Sequence, residues 1–572
     1  MKYLRGFRRD CVMSPLFKLL EATLELFVPL VMASIIDRGI GVRGGDKPYI
    51  YKMCGLLVVL GLVGLVCAIS AQYFAARAAV GFSARIKSEL FRRIQSLSYQ
   101  DLDNLGTSTL ITRLTSDINQ VQTGVNLVLR LVLRSPFVVL GAMIMAFTID
   151  AQAALVFVVA IPVLSAAVFG IMLICIPFYR KVQHRLDAVL LRIRENLSGV
   201  RVLRAFCKQP DEEKRFERQN ADLTAANIFV GRISAIMNPL TYVIVNLAIV
   251  ALVYIGGVRV NSGSLTQGEV VALYNYMSQI LVELVKLANL IITVTKSFAC
   301  ADRLSAVLDT QPSMQYGQSG ITDGDIEFRG VSLRYDGAGD DILTDINFTA
   351  PAGSTVGIIG GTGSGKSSLI NLIPRFYDAT EGQVLIGGTD VRDMSQSALR
   401  EHIGVVPQRA ALFAGTIRDN LLLGRDVSDE QLMQAAQAAQ AADIIASKEG
   451  GLDAVIEQHG RNLSGGQRQR LTVARALARQ PRVLILDDSA SALDYATDAA
   501  LREAIRNLPW HPTVFIVSQR ASSVRGADMI VVLDDGRVAD IGTSEQLLGR
   551  CELYREIYYT QYERQADNDV EQ

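Results

Sequence analysis

The sequence predicts two domains of unlike class: an all-α domain of six long apolar helices in residues 1–300, and an α/β domain in residues 321–572, joined by a transition over 301–320. Three observations carry this reading. Up to about Ala299 the chain holds six apolar runs, each near the 20 residues that a helix needs to cross a bilayer. From Ile321 onward, short β-rich runs such as "STVGIIG", "RVLILD" and "TVFIVS" alternate with polar, Ala-rich helical stretches. Between the first of those runs and a helical stretch lies a glycine-rich turn at Gly360.

The six runs are Leu16–Ile36, Ile50–Ala71, Leu127–Phe147, Ala153–Phe178, Pro239–Val260 and Val270–Ile292. Pro29, Pro136, Pro162, Pro177 and Pro239 lie inside them or at their edges and locate expected kinks, which membrane helices tolerate. Glu21 and Glu25 interrupt the first run, Glu283 and Lys286 the last. A charge at mid-bilayer is costly, so such residues face a bundle interior, a wet cavity or a span end. Glu21 and Glu25 read either as the cytoplasmic end of the first span or as interior groups. Glu283 and Lys286 have the spacing of an i,i+3 pair, which accounts for them with or without a role in a cargo cavity.

Basic residues set the orientation. Arg77, Arg85, Lys87, Arg92, Arg93 and Arg113 follow the second run, and Arg180, Lys181, Arg185, Arg192, Arg194, Arg201 and Arg204 follow the fourth. Only Arg38, Arg43 and Lys47 stand between the first two. The positive-inside bias puts both termini and both long connections in the cytoplasm. Those connections also read as helical and extend the spans beyond the bilayer. No cleavable signal peptide is evident, because the first apolar stretch is long and leads into further spans.

Composition excludes several classes. A formal charge of zero gives no support to nucleic-acid binding. The seven cysteines form no C-x-x-C pair, and Cys54, Cys67 and Cys175 lie in apolar runs, so neither a disulfide framework nor a thiolate metal site is expected. The four histidines are scattered, which argues against a histidine-built metal site.

In the second domain "GGTGSGKSS" matches G-x-x-x-x-G-K-[ST] through Gly360, Gly365, Lys366 and Ser367, with a strand before it and a helix after it. Gly363 and Gly365 let backbone N–H groups close on phosphate oxygens, and the helix start adds its positive end. Lys366 is expected to reach the β- and γ-phosphates, with Ser367 on Mg²⁺ and Ser368 beside it. "RVLILDD" ends a buried strand in Asp487, a second Mg²⁺ ligand, and Asp488 follows it toward the γ-phosphate and the attacking water. The fold class is therefore a six-helix all-α transmembrane domain followed by an α/β P-loop ATP-binding domain.

With "LSGGQ" at Leu463–Gln467, placed between the phosphate loop and the acidic strand end, the whole chain resembles a bacterial ABC exporter half-transporter. The resemblance implies that Tyr335 in "VSLRY" stacks on adenine and that Gln408 in "VVPQ" senses Mg²⁺ and water. It also implies that "SALD", ending at Asp494, lies in a loop crossing a dimer interface. Ser464, Gly465, Gly466 and Gln467 would serve ATP held by a second domain, so a dimer is implied. It implies alternating access in a lipid bilayer, export of hydrophobic or amphipathic drugs or lipids, and a place in the bacterial inner (cytoplasmic) membrane. Short crosswise elements that relay domain closure are expected near Tyr99–Ser108 and Cys207–Glu217. With no peptidase-like domain ahead of the first span, a peptide-processing exporter is not expected.

Two departures stand out. The family usually has glutamate where this chain has Asp488, and histidine where it has Gln519 in "FIVSQR". Aspartate is shorter by one methylene, and a base displaced by about 1 Å can lose on the order of 100-fold in rate. Glutamine can donate a hydrogen bond but does not titrate near neutrality. With the signature intact, the expectation is a heterodimer in which this chain builds the slow site. Its partner would be a different half-transporter that carries the glutamate and histidine and a damaged signature. The alternatives are a lipid flippase or small-metabolite exporter, or an ATP-gated regulatory membrane protein with little hydrolysis.

Overall fold

The computed structural model describes residues 2–40, 46–321 and 324–570, without side chains at residues 2 and 562–570; Arg43 lies outside the described residues. The chain divides into two compact units, one of Met1–Gln95 with Ser108–Thr310 and one of Ser96–Thr107 with Gln311–Gln572.

Among the described residues, six helices are long and apolar enough to cross a membrane, and the first unit is built from them: Tyr3–Ile40, Lys47–Ser96, Thr107–Ile149, Ala151–Ser198, Gln209–Asn261 and Gln267–Asp309. Each contains one of the apolar runs and continues well past it, as the helical character of the basic connections predicts. Its core packs Leu26, Val139, Phe157, Leu164, Leu252, Tyr276 and Ile280 around Ala142, Ala146, Ala154 and Ala272. Small side chains let helix backbones approach closely where lipid gives no hydrophobic drive for association. Tyr276 is fully buried, and its hydroxyl donates to the Leu26 carbonyl at 2.6 Å, which satisfies the one polar atom it takes inside. On the second helix Val58, Leu62, Val66 and Ile69 are exposed, the outward apolar surface that a lipid solvent stabilises.

The helices run through Pro29, Pro162, Pro177 and Pro239 without a break. At Pro136 the local winding changes. Proline has no N–H to give back to the preceding turn, and the backbone ahead of it widens into a π-helical turn at Val128–Val132. The expected short element at Cys207–Glu217 is displaced. A short helix spans Val200–Ala205, Cys207 breaks the chain with φ of +52°, and Gln209 with Pro210 already starts the fifth long helix. Proline is favoured in a first helical turn, where its missing N–H has no partner to lose.

The second unit contains two main sheets. Strands β1 (Ile326–Leu333), β2 (Leu343–Ala350), β4 (Glu381–Ile386) and β5 (Thr389–Asp390) form an antiparallel sheet in the order β2-β1-β4-β5. Strands β3 (Thr355–Gly360), β6 (Ile403–Val406), β9 (Val483–Asp487), β10 (Thr513–Val517), β11 (Met529–Asp534) and β12 (Arg537–Gly542) form a sheet in the order β12-β11-β3-β10-β9-β6. In it β12 pairs antiparallel with β11, and the pairs among β11, β3, β10, β9 and β6 are parallel. A two-residue pair, β7 (Gly415–Thr416) with β8 (Val455–Ile456), lies apart. Both faces of the larger sheet are covered. Ile485 and Phe515 pack toward the antiparallel sheet, while Leu484, Leu486 and Ile516 pack toward helices carrying Leu432, Leu477 and Tyr554. This period-two division explains why "RVLILD" and "TVFIVS" read as unbroken apolar runs.

The short helix Tyr99–Leu105 belongs to this unit. Ser98 and Asp101 cap it reciprocally, and the Asp101 carboxylate also accepts from Ser313 N at 3.1 Å. Burial opposes ionisation there, yet the hydrogen bonds from Ser98 and Ser313 hold the Asp101 carboxyl below the usual carboxylate range. The Tyr99 ring packs on Phe376 with centroids 4.6 Å apart, and Tyr377 donates to Asp103 at 2.7 Å.

Candidate functional site

The larger sheet gathers the site at the carboxyl ends of its parallel strands, where open α/β sheets bind ligands. The glycine-rich loop follows β3, Gln408 follows β6, Asp487 ends β9 and Gln519 follows β10. Because β10 lies between β3 and β9, with Val517 paired to both Ile358 and Asp487, three of these segments meet side by side.

The loop has little freedom of sequence. Gly363 and Gly365 hold φ of +87° and +89°, in the left-handed region. A Cβ on Gly365 would fall 2.7 Å from Leu343 Cδ2, and one on Gly360 would fall 2.2 Å from the Leu533 carbonyl oxygen. The Lys366 ammonium donates to Gly360 O at 3.0 Å, Gly361 O at 2.5 Å and Ser364 Oγ at 3.2 Å. Burial pushes its pKa down, and Asp488 and Asp487 nearby pull it back toward the charged form.

Ser367 Oγ donates to Asp487 Oδ1 at 3.0 Å. Burial, reinforced by the neighbouring Asp488 charge, raises the Asp487 carboxyl above its ordinary value, while the Ser367 bond and Lys366 oppose this. A hydroxyl and a carboxylate converging in this way suit a hard divalent cation that also takes phosphate and water oxygens. Among the described residues no group of three or more His, Cys, Asp or Glu could hold a metal by itself.

Asp488 sits in the left-handed region with φ of +44°, its N–H donating to Val517 O at 3.0 Å. Gln408 Nε2 donates to Asp488 Oδ2 at 3.4 Å. A cavity of about 350 Å³ brings together Gly363, Gly365, Lys366, Ser367, Ser368, Gln408, Asp487, Asp488 and Gln519 on its wall. Tyr335 is not on that wall but is tied to it, its hydroxyl donating to Ser368 Oγ at 3.1 Å.

The signature residues are not in this cavity. Ser464 caps the helix Gly465–Leu477, with its Oγ accepting from Gln467 N at 3.2 Å and its own N–H donating to Gln467 Oε1 at 2.9 Å. Gln467 is thus half of a capping box. Ser464 and Gly465 are exposed at that helix start, and a Cβ on Gly465 would meet nothing within 4 Å. Asp494 caps the next helix, Tyr495–Arg506, through Thr497 N at 2.9 Å.

One residue at the site had no signal in the sequence. Gln561, 42 residues beyond Gln519, donates from Nε2 to Gln519 O at 2.7 Å and accepts from Ala521 N at 2.8 Å.

Comparisons with known proteins agree with this architecture. Residues 11–284 match the family model described as the ABC transporter transmembrane region, and residues 343–491 match the one described as ABC transporter. The chain is 35% identical, over 98% of its length and 97% of the relative's, to an uncharacterised ABC transporter ATP-binding protein of Mycobacterium tuberculosis. It is 32% identical, over 84% of its length and 80% of the relative's, to an ATP-dependent lipid A-core flippase of Syntrophus aciditrophicus. A solved bacterial Atm1-family ABC exporter with ATP bound superposes with a TM-score of 0.82 at 25% identity, covering 97% of this chain and 98% of that one.

Proposed function

The chain belongs to the ABC transporter family, as an exporter half-transporter with one membrane domain and one ATP-binding domain, and from that premise we propose that it is one half of a heterodimer whose ATP site on this chain hydrolyses slowly. The observation that carries this is the joint presence of Asp488 and Gln519, where the family has glutamate and histidine, beside an intact Leu463–Gln467 signature. The Gln408–Asp488 bond supports it, because the shortened carboxylate is already engaged by its neighbour.

In this reading Gly360, Gly363 and Gly365 shape the phosphate cradle, Lys366 pairs with the β- and γ-phosphates, Ser368 lies beside them and Tyr335 stacks on adenine. Ser367, Asp487 and Gln408 would hold Mg²⁺, which when bound would supply charge neutralisation at the phosphates. Asp488 orients water poorly, and Gln519 donates a hydrogen bond toward the γ-phosphate. Ser464, Gly465, Gly466 and Gln467 complete the fast site on the partner. The partner is a different half-transporter with the glutamate, the histidine and a defective signature. The cargo is a hydrophobic or amphipathic compound, a drug or lipid, which the lipid A-core flippase among the relatives supports. The membrane is the bacterial cytoplasmic membrane, with both termini inside.

The test is native mass spectrometry of the complex extracted with this chain tagged, followed by ATPase assays. A one-to-one complex with a different half-transporter is expected. In it Asp488→Asn keeps much of the activity and Ser464→Arg removes most of it. A homodimer near twice 62.3 kDa, or the opposite ranking of the two variants, would overturn the assignment. The homodimer would favour an ATP-gated regulator, since both sites would then carry Asp488 and Gln519.

A further inference from the structure

The membrane unit contains a cluster of four charges drawn from three of its helices. Arg134 of the third helix donates to Glu283 Oε1 of the sixth and to Glu25 Oε2 of the first, each at 2.6 Å. Glu283 also accepts from Lys286 Nζ at 2.9 Å and from Ser135 Oγ at 2.8 Å. The charges sum to zero. At 1.5 Å per residue, Glu25 lies roughly 13 Å along its span from Leu16, and Glu283 a similar distance from Ile292. Both of those span ends are cytoplasmic in the predicted orientation, so the cluster sits at inner-leaflet depth.

Bracing of the helices accounts for the inner pair: the side chains of Arg134 and Glu283 are 8% and 4% exposed. It does not account for the outer pair. Glu25 and Lys286 remain 43% and 45% exposed, and both face a cavity of about 410 Å³. Arg134 is committed to two carboxylates, and Glu283 to three donors. What is left facing the cavity is the second oxygen of Glu25 and the remaining donors of Lys286. Gln279 lines the same cavity, and its Oε1 is buried with no hydrogen-bond partner among the described residues. Val28, Met32 and Val138 supply its apolar lining.

We propose that this cavity is a cargo subsite for an amphiphile whose polar end carries both a cationic and an anionic group, such as a zwitterionic lipid headgroup. A singly charged cargo would engage only one of Glu25 and Lys286 and bring a like charge toward the other, a cation toward Lys286 or an anion toward Glu25. A zwitterion satisfies both. Its apolar part lies against Val28, Met32 and Val138. This rests on the reading of the chain as an exporter and names the class of its cargo.

The test is binding to the full-length complex without nucleotide, followed by fluorescence anisotropy. The probes are a fluorescent phosphatidylethanolamine (zwitterionic), a fluorescent phosphatidylglycerol (anionic) and a rhodamine dye (cationic). The expected result is preference for the zwitterionic probe by about 10-fold, lost in both Glu25→Gln and Lys286→Met. Glu25→Gln should shift the preference toward the anionic probe and Lys286→Met toward the cationic one, with unchanged unfolding temperatures. Equal binding of all three probes, or two variants that bind as the parent does, would overturn the proposal and leave the cluster a brace. The export reading is judged separately, by ATP-dependent movement of any of the probes into inverted vesicles.

Discussion

Gln561 grips the backbone on either side of Arg520, with its Nε2 on the Gln519 carbonyl oxygen and its Oε1 on the Ala521 N–H, at 2.7 and 2.8 Å. The segment that presents Gln519 to the nucleotide cavity is therefore positioned by the C-terminal helix. Each such bond contributes about 1 kcal/mol net. Gln561→Ala is expected to destabilise the ATPase unit by about 1–2 kcal/mol. It should also speed amide exchange at residues 518–522 and weaken ATP binding. Hydrogen-exchange mass spectrometry with and without ATP checks this. Unchanged exchange at those residues would show that the loop holds itself.

Restoring the family's residues should restore chemistry. Asp488→Glu with Gln519→His moves the carboxylate outward by one methylene and supplies an imidazole. In a complex whose partner site is disabled, single-turnover hydrolysis is expected to rise about 10- to 100-fold. Asp488→Glu alone should gain less, because Gln519 would still stand where an imidazole could titrate near neutrality. No gain in the double variant would mean that Asp488 and Gln519 are not what limits this site.

Asp487 gives a pH signature with two opposed signs. Burial raises its pKa above the ordinary 3.8, so the folded chain takes up this proton more readily than the unfolded chain does. The ionised group therefore costs stability above its folded pKa, and that cost is relieved as pH falls through it. Mg-ATP binding needs the ionised form, so affinity should fall over the same acid range. Asp487→Asn is expected to flatten both trends. Unfolding midpoints without nucleotide and Mg-ATP titrations through that range measure them, and parallel trends in the parent would refute the assignment.

Tyr377→Phe removes the 2.7 Å bond to Asp103 and keeps the ring contacts with Tyr335 and Tyr99. The expected loss is about 1 kcal/mol, confined to the docking of the helix Tyr99–Leu105. Amide exchange there should rise while ATP affinity stays as in the parent. A fall in affinity would place Tyr377 in the nucleotide site.

The parts legible in the sequence were those whose signal is local. A phosphate loop is a run of adjacent residues held by φ values that only glycine adopts easily, and an apolar strand ending in Asp487 announces itself within seven positions. Length and apolarity give the six helices. Partnerships across distance left no such mark. The pair Glu283–Lys286 follows from its i,i+3 spacing, but Glu25 and its partner Arg134 are 109 residues apart, and Arg134 lies inside an apolar run. Gln561 is invisible for the same reason. The displaced helix at Val200–Ala205 turned on the backbone of Cys207, a left-handed conformation that residue type does not foretell.

The helix Tyr99–Leu105 also carries a consequence for how the chain is made. Ser98 meets Ser313 at 2.7 Å across 215 residues of sequence. At roughly 5–20 residues per second, the ribosome finishes this helix roughly 10–40 s before its landing site exists. The ATPase unit thus completes its surface with a piece synthesised before any of its strands. The same domain produced alone from residue 321 onward would leave Phe376 and Tyr377 uncovered, a sticky patch on a nascent chain that only the intact polypeptide can close.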